Sequence, residues 1–207
     1  VTSNAIATPT ARPTAAVRAA GITYLAAWVI GLSVWPANPS VAATGPEVLT
    51  GLAGHTGAAI AQYVATQGIA GLALAVVVGT LRRPARVSGY AAVVVSLVQC
   101  ALGIHLAAAV APTHHAATAH TVFALLNRLD GVKMLLLAAT ALLVCGPAVR
   151  AGRARWTDWT GLALAVAITV SGVGYLLLST ALAPAAYASG VLLLIWVTAT
   201  ALSRPSR

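Results

Sequence analysis

The sequence predicts an all-α integral membrane protein, a bundle of about six transmembrane helices with N and C termini cytoplasmic. Three observations carry this. Hydrophobic residues make up 59% of the 207 residues and charged residues 7%, with a mean hydropathy of +0.90. Soluble domains carry about 25% charged residues, and a soluble fold of this length could not bury so much apolar side chain. The apolar residues also fall into long runs that do not alternate, as barrel strands would. Finally, basic residues fill alternate gaps between those runs.

Residues 1–16, rich in Ala, Thr and Pro, read as a disordered tail. Residues 17–203 read as a single transmembrane domain. Spans are expected at 17–35, 58–81, 87–111, 120–145, 156–182 and 185–202. At 1.5 Å per residue each crosses most or all of a ~30 Å hydrocarbon layer. Arg12 and Arg18 precede or open the first span. Arg82, Arg83 and Arg86 lie between the second and third, Arg150, Arg153 and Arg155 between the fourth and fifth, and Arg204 and Arg207 after the sixth. The other three loops hold no Lys or Arg. The positive-inside rule then places the basic side in the cytoplasm, as a multi-pass protein of the cytoplasmic (inner) membrane.

The formal net charge of +9 is thereby explained by topology. No nucleic-acid partner is expected; the expected partner is membrane lipid. Arg12, Arg18 and the apolar run before Ser40-Val41-Ala42 also fit a secretory signal with a small-residue cleavage site. Trp28 and Trp35 read instead as membrane anchors, so the run is expected to stay as the first span. The long loop over 36–57 carries Pro36, Pro39, Pro46, Glu47 and His55. A plain connector is its default reading, with a lid or a re-entrant piece as alternatives. Cys100 and Cys145 fall inside spans and read as buried thiols.

Chemistry needs ionisable groups, and only three acids exist: Glu47, Asp130 and Asp158. Asp158, at the start of the fifth span beside Thr157, is placed to cap a helix. Glu47 belongs to the loop. Asp130 is expected about ten residues into the fourth span, a depth of ~15 Å and near the bilayer midplane. It lies in Asn127-Arg128-Leu129-Asp130-Gly131-Val132-Lys133. Charges at the bilayer centre cost ~2.5–3.5 kcal/mol each on insertion scales, so they pair or face a polar cavity. At helical spacing His120, Phe123, Asn127, Asp130 and Met134 share one stripe, with Lys133 at its edge. Asp130 and Lys133 can pair at i, i+3. Arg128 points away and needs another partner, so Arg128 and Lys133 are both candidates for an ion pair. The cluster reads either as a packing salt bridge or as an interior site round Asp130.

Other spans supply Tyr24 and Trp28, then Gln62, Tyr63 and Gln67, then Ser96, Gln99 and His105, then Ser171 and Tyr175. Together they suit a pocket with polar points on a partly aromatic wall. The five histidines, His55, His105, His114, His115 and His120, offer only His105 and His120 as a pair on facing helices. Solvated or hydrogen-bonding roles are expected, with no metal and no cofactor.

Arg18-Ala19-Ala20-Gly21-Ile22-Thr23-Tyr24-Leu25 and Asn127-Arg128-Leu129-Asp130-Gly131-Val132-Lys133 resemble segments of small actinobacterial multi-pass membrane proteins. Size, span pattern and the intramembrane acid also resemble compact membrane-bound terpene cyclases of natural-product pathways. That resemblance implies a proton-initiated cyclisation of a hydrophobic prenylated small-molecule substrate entering from the bilayer. Asp130 would be the general acid and Asn127 its orienting partner. Tyr24, Trp28, Tyr63, Gln67, Gln99, Phe123 and Tyr175 would contact substrate. The alternatives are a proton-coupled small-molecule transporter and a non-catalytic membrane partner subunit.

Overall fold

Long apolar runs form the helices, and local caps and turns bound several of them. A computed structural model describes residues 14–35 and 38–203. The expected tail lies almost wholly outside the described residues, as do Arg12, Pro36, Arg204 and Arg207. Thr14 Oγ1 accepts the Val17 N–H at 3.4 Å and opens α1, Ala15–Val34. Then follow α2, Gly45–Leu52; α3, Thr56–Gly79, with a π-helical turn over Val64–Ile69; and α4, Arg83–Thr113, which ends through a π-helical turn, Leu106–Val110. Next come α5, Ala116–Arg150; α6, Trp156–Leu176; and α7, Ala183–Ser203. Among the described residues there is no strand, and six helices (all but α2) are long and apolar enough to cross a membrane.

The expected fifth span was too long. α6 stops at Leu176 because Leu178 takes a left-handed backbone, φ 52°, and turns the chain. The loop over 36–57 is also more than a connector, since α2 forms within it. Glu47 Oε2 accepts the Thr44 N–H at 2.7 Å and the Thr44 hydroxyl at 2.9 Å, closing a capped helix start with Pro46 in its first turn. These bonds favour the ionised carboxylate and hold Glu47 below its ordinary value of 4.5.

Successive long helices run antiparallel and close into a ring. α1 packs on α3, α3 on α4, α4 on α5, α5 on α6, α6 on α7, and α7 back on α1. Small residues set the approach. A Cβ at Gly131 would lie 2.7 Å from the Gly172 carbonyl oxygen and 2.9 Å from the Leu176 nitrogen. Only glycine there lets α5 and α6 meet backbone to backbone, the usual device where lipid gives helices no hydrophobic reason to associate. Large apolar side chains such as Ile22, Val94, Val166 and Val191 cover the outside. Trp156 and Trp159 are exposed at the arginine end and Tyr187 toward the opposite, histidine-bearing end. Aromatic belts of this kind sit at membrane–water boundaries.

Two apolar cores fill the ring. One, toward the arginine end, includes Leu74, Val78, Cys145, Leu164, Ile168 and Trp196. The other, toward the histidine end, includes Trp35, Val48, Leu52, Leu106, Phe123 and Leu126. α2 lies over this second core and packs on α5. His120 Nδ1 and the Ala43 carbonyl, 3.2 Å apart, tie the chain ahead of α2 to α5. α5 has 35 residues, about 52 Å of helix, well beyond a ~30 Å hydrocarbon layer.

Candidate functional site

Between the two cores runs a layer of polar side chains, and α3, α4 and α5 each contribute to it. On α5, Lys133 is three residues after Asp130, so both face the same side of the helix. Lys133 Nζ meets Asp130 Oδ1 at 2.5 Å. It also donates to Gln67 Oε1 at 2.8 Å, from the π-helical turn of α3. Such turns insert an extra residue and recur at functional sites. From α4, Ser96 Oγ donates toward Gln67, 2.8 Å from Oε1 and 3.1 Å from its carbonyl. Gln99 Nε2 donates to Asp130 Oδ1 and to the Leu126 carbonyl, both at 3.1 Å. One ammonium and one carboxylate thus connect three helices.

Exposure separates the pair. The Lys133 side chain is 7% exposed and the Asp130 side chain 16%. The carboxylate is the more open of the two. Gln99 is only 3% exposed, and its Oε1 has no partner. A buried acceptor left unsatisfied costs ~1–3 kcal/mol, so it marks a place where something else should bond. The Ser171 hydroxyl on α6 is 1% exposed and likewise has no partner.

The aromatic residues divide. Tyr24 on α1, Tyr63 on α3 and Tyr175 on α6 all feel the charge of Asp130. Trp28 is partly buried and packs against the arginine-end core that contains Tyr24. The Tyr63 ring is seated on Gly103, where a Cβ would overlap it. Phe123 is buried in the histidine-end core and belongs to its packing. Asn127 makes no hydrogen bond to Asp130 in the structure. Its Nδ2 donates to the Phe123 carbonyl at 2.9 Å, one turn back on its own helix.

The Asp130–Lys133 pair meets Gln67 and Gln99 near the middle of α3 and α4, and the next residue, Gly131, lies beside Leu176, the last residue of α6. α5 itself runs past both expected ends of its span. One further expectation changes. Arg128 has no ion-pair partner among the described residues and is exposed. At the level where α6 ends, its long side chain can reach out of an apolar layer without one.

The histidines do not converge. Among the described residues no group of three His, Cys, Asp or Glu could hold a metal, and all five histidines are exposed. No disulfide joins Cys100 to Cys145. Two open depressions lie on the histidine-end face. One is an open groove of about 630 Å³ beside Pro39, Pro46 and Glu47, and the other lies beside Pro46 and His120. No protein-family model, curated protein or solved structure matches this chain.

What the sequence missed is the connection rather than the cast. Gln67 and Gln99 were expected as substrate contacts on a wall. In the structure they are hydrogen-bond partners of Lys133 and Asp130. Ser96 completes the Gln67 contact. No sequence signal marks the π-helical turn that aims Gln67 at Lys133.

Proposed function

We propose that the chain is a multi-pass protein of the cytoplasmic membrane that couples movement of a small molecule to protons through the Asp130–Lys133 pair. The observation that carries this is the shared ammonium. Lys133 has two acceptors, Asp130 on its own helix and Gln67 on α3. While Asp130 is ionised, it holds Lys133 and Gln99, tying α5 to α4 directly and to α3 through the ammonium. A proton on Asp130 removes the charge attraction and leaves Lys133 with Gln67. Proton occupancy therefore changes which helices are joined, and a ligand that prefers one arrangement is coupled to the proton by linkage. Intramembrane ionisable pairs commonly serve such relays. The cytoplasmic orientation proposed for the arginine end is supported by the exposed arginines Arg18, Arg82, Arg83, Arg86, Arg150, Arg153 and Arg155, all at that end.

Purified protein in liposomes loaded with a pH-sensitive dye should give proton flux driven by an added small-molecule gradient. Asp130→Asn should remove it. Flux that persists in Asp130→Asn overturns the reading. Reporter fusions after residues 83 and 152 should read cytoplasmic, and fusions near 113 and 184 should read outside; the reverse pattern overturns the orientation.

A second reading, a proton-initiated terpene cyclase with Asp130 as acid, rests on one observation: tyrosines from three helices, Tyr24, Tyr63 and Tyr175, lie within electrostatic reach of that acid. Aromatic faces stabilise carbocations. Asp130 Oδ1 is engaged by Lys133 and Gln99, which favours transport. Product formation from a prenylated acceptor, absent in Asp130→Asn, would reverse the order of the two readings.

A further inference from the structure

The bonding capacity left over around Asp130 accepts rather than donates. Both amide hydrogens of Gln99 are used, on Asp130 and on Leu126, while its buried Oε1 is unpaired. Asp130 Oδ1 holds Lys133 and Gln99, and no side chain among the described residues bonds Oδ2. A carboxylate and an unpaired carbonyl suit a compact cation with several N–H donors. An anion would meet the carboxylate, and a hydrocarbon would leave Gln99 Oε1 unsatisfied.

We propose that this layer binds a small primary ammonium ion, and that Lys133 is its tethered competitor. The proposal rests on the transport reading and names the class of its cargo. Lys133 already places an ammonium on the carboxylate. It also has Gln67 Oε1 as a second seat. An incoming primary amine takes the place on Asp130, bonds Gln99 Oε1 with another N–H, and leaves Lys133 on Gln67. The greater exposure of Asp130 gives the ligand access to the carboxylate, whereas Lys133 is shut in. Charge in the layer is conserved when an ammonium enters as a proton or a second cation leaves, which is the exchange the transport reading requires.

The test uses the purified full chain in detergent and methylammonium chloride as probe. Tetramethylammonium, which has no N–H, is the control at equal ionic strength. Methylammonium should raise Tm saturably and tetramethylammonium should not. Asp130→Asn should abolish the response. Lys133→Met should tighten binding by about tenfold, the factor expected if the tethered ammonium occupies the seat roughly nine-tenths of the time. Gln99→Leu should weaken binding in an otherwise wild-type chain, and it carries the test if Lys133→Met does not purify. Equal responses to both cations, or a response retained in Asp130→Asn, would overturn the proposal. Binding without proton flux in liposomes would sink transport and leave the site standing. Flux driven by some other solute, with no methylammonium response, would sink the site assignment alone.

Discussion

Asp158 and Asp130 both lie inside the helical bundle, each three residues from a basic one. Asp158 is buried in the first turn of α6, where its Oδ2 accepts the Arg155 N–H at 2.9 Å. That bond satisfies one of the orphan donors at a helix start, and the negative charge suits the positive end of the helix dipole. Asp130 is far from either end of α5. Its carboxylate meets Lys133 of the same helix and Gln99 of α4, and through Lys133 reaches Gln67 of α3. One acid finishes a local turn. The other joins three helices, so a change in its charge is felt across the bundle.

The largest effect that can break this comparison is on activity. Asp130→Asn should lower proton-coupled flux by at least ~10²-fold, the range typical of a lost proton-transfer group. Asp158→Asn should leave flux near wild type in the same liposomes. Equal losses would put the two acids in one class.

Stability comes next. Lys133→Met should destabilise the folded chain by ~3–5 kcal/mol, because a charged carboxylate is left without its cation. Adding Asp130→Asn should restore most of that loss. Thermal unfolding of the two variants side by side checks it; a double variant no more stable than Lys133→Met would mean the pair does not hold the helices. Asp158→Ala should cost less, about 0.5–2 kcal/mol, as a lost helix-start acceptor.

The smallest effect is at Glu47, a third acid used locally like Asp158 but fully in solvent. Its hydrogen bonds from Thr44 depress its pKa. Its contribution to α2 is therefore present above the unfolded value of 4.5 and lost as pH falls through the lower folded value. Amide exchange in α2 should accelerate over that window. In Glu47→Gln that titration should disappear, and an unchanged profile would show that Glu47 does not hold the turn.

The same contrast explains what could be read in the sequence. Six apolar helices follow from hydropathy alone, and the use of Asp158 follows from its position beside a helix start, because both are local. The Asp130–Lys133 contact was also within reach, being one turn of helix. Gln99 and Gln67 were visible as polar residues but not as partners, since their alignment with Asp130 and Lys133 depends on how α3 and α4 slide along α5. Ser88 shows the same limit: its hydroxyl donates to the Leu136 carbonyl at 2.7 Å across helices, and nothing in its neighbours announces that. The full length of α5 was missed for a different reason. Hydropathy locates the apolar stretch of a helix, and α5 continues past that stretch at both ends.

The uninterrupted length of α5 has a mechanical consequence. His120 holds it near one end, the charged layer sits partway along, and the arginine-bearing turn to α6 follows its last residue. Its internal proline, Pro147, lies beyond the charged layer, so the stretch from His120 to Lys133 has no proline joint. Twisting the histidine end of such a stretch would sweep Asp130 and Lys133 round together, away from Gln99 and Gln67.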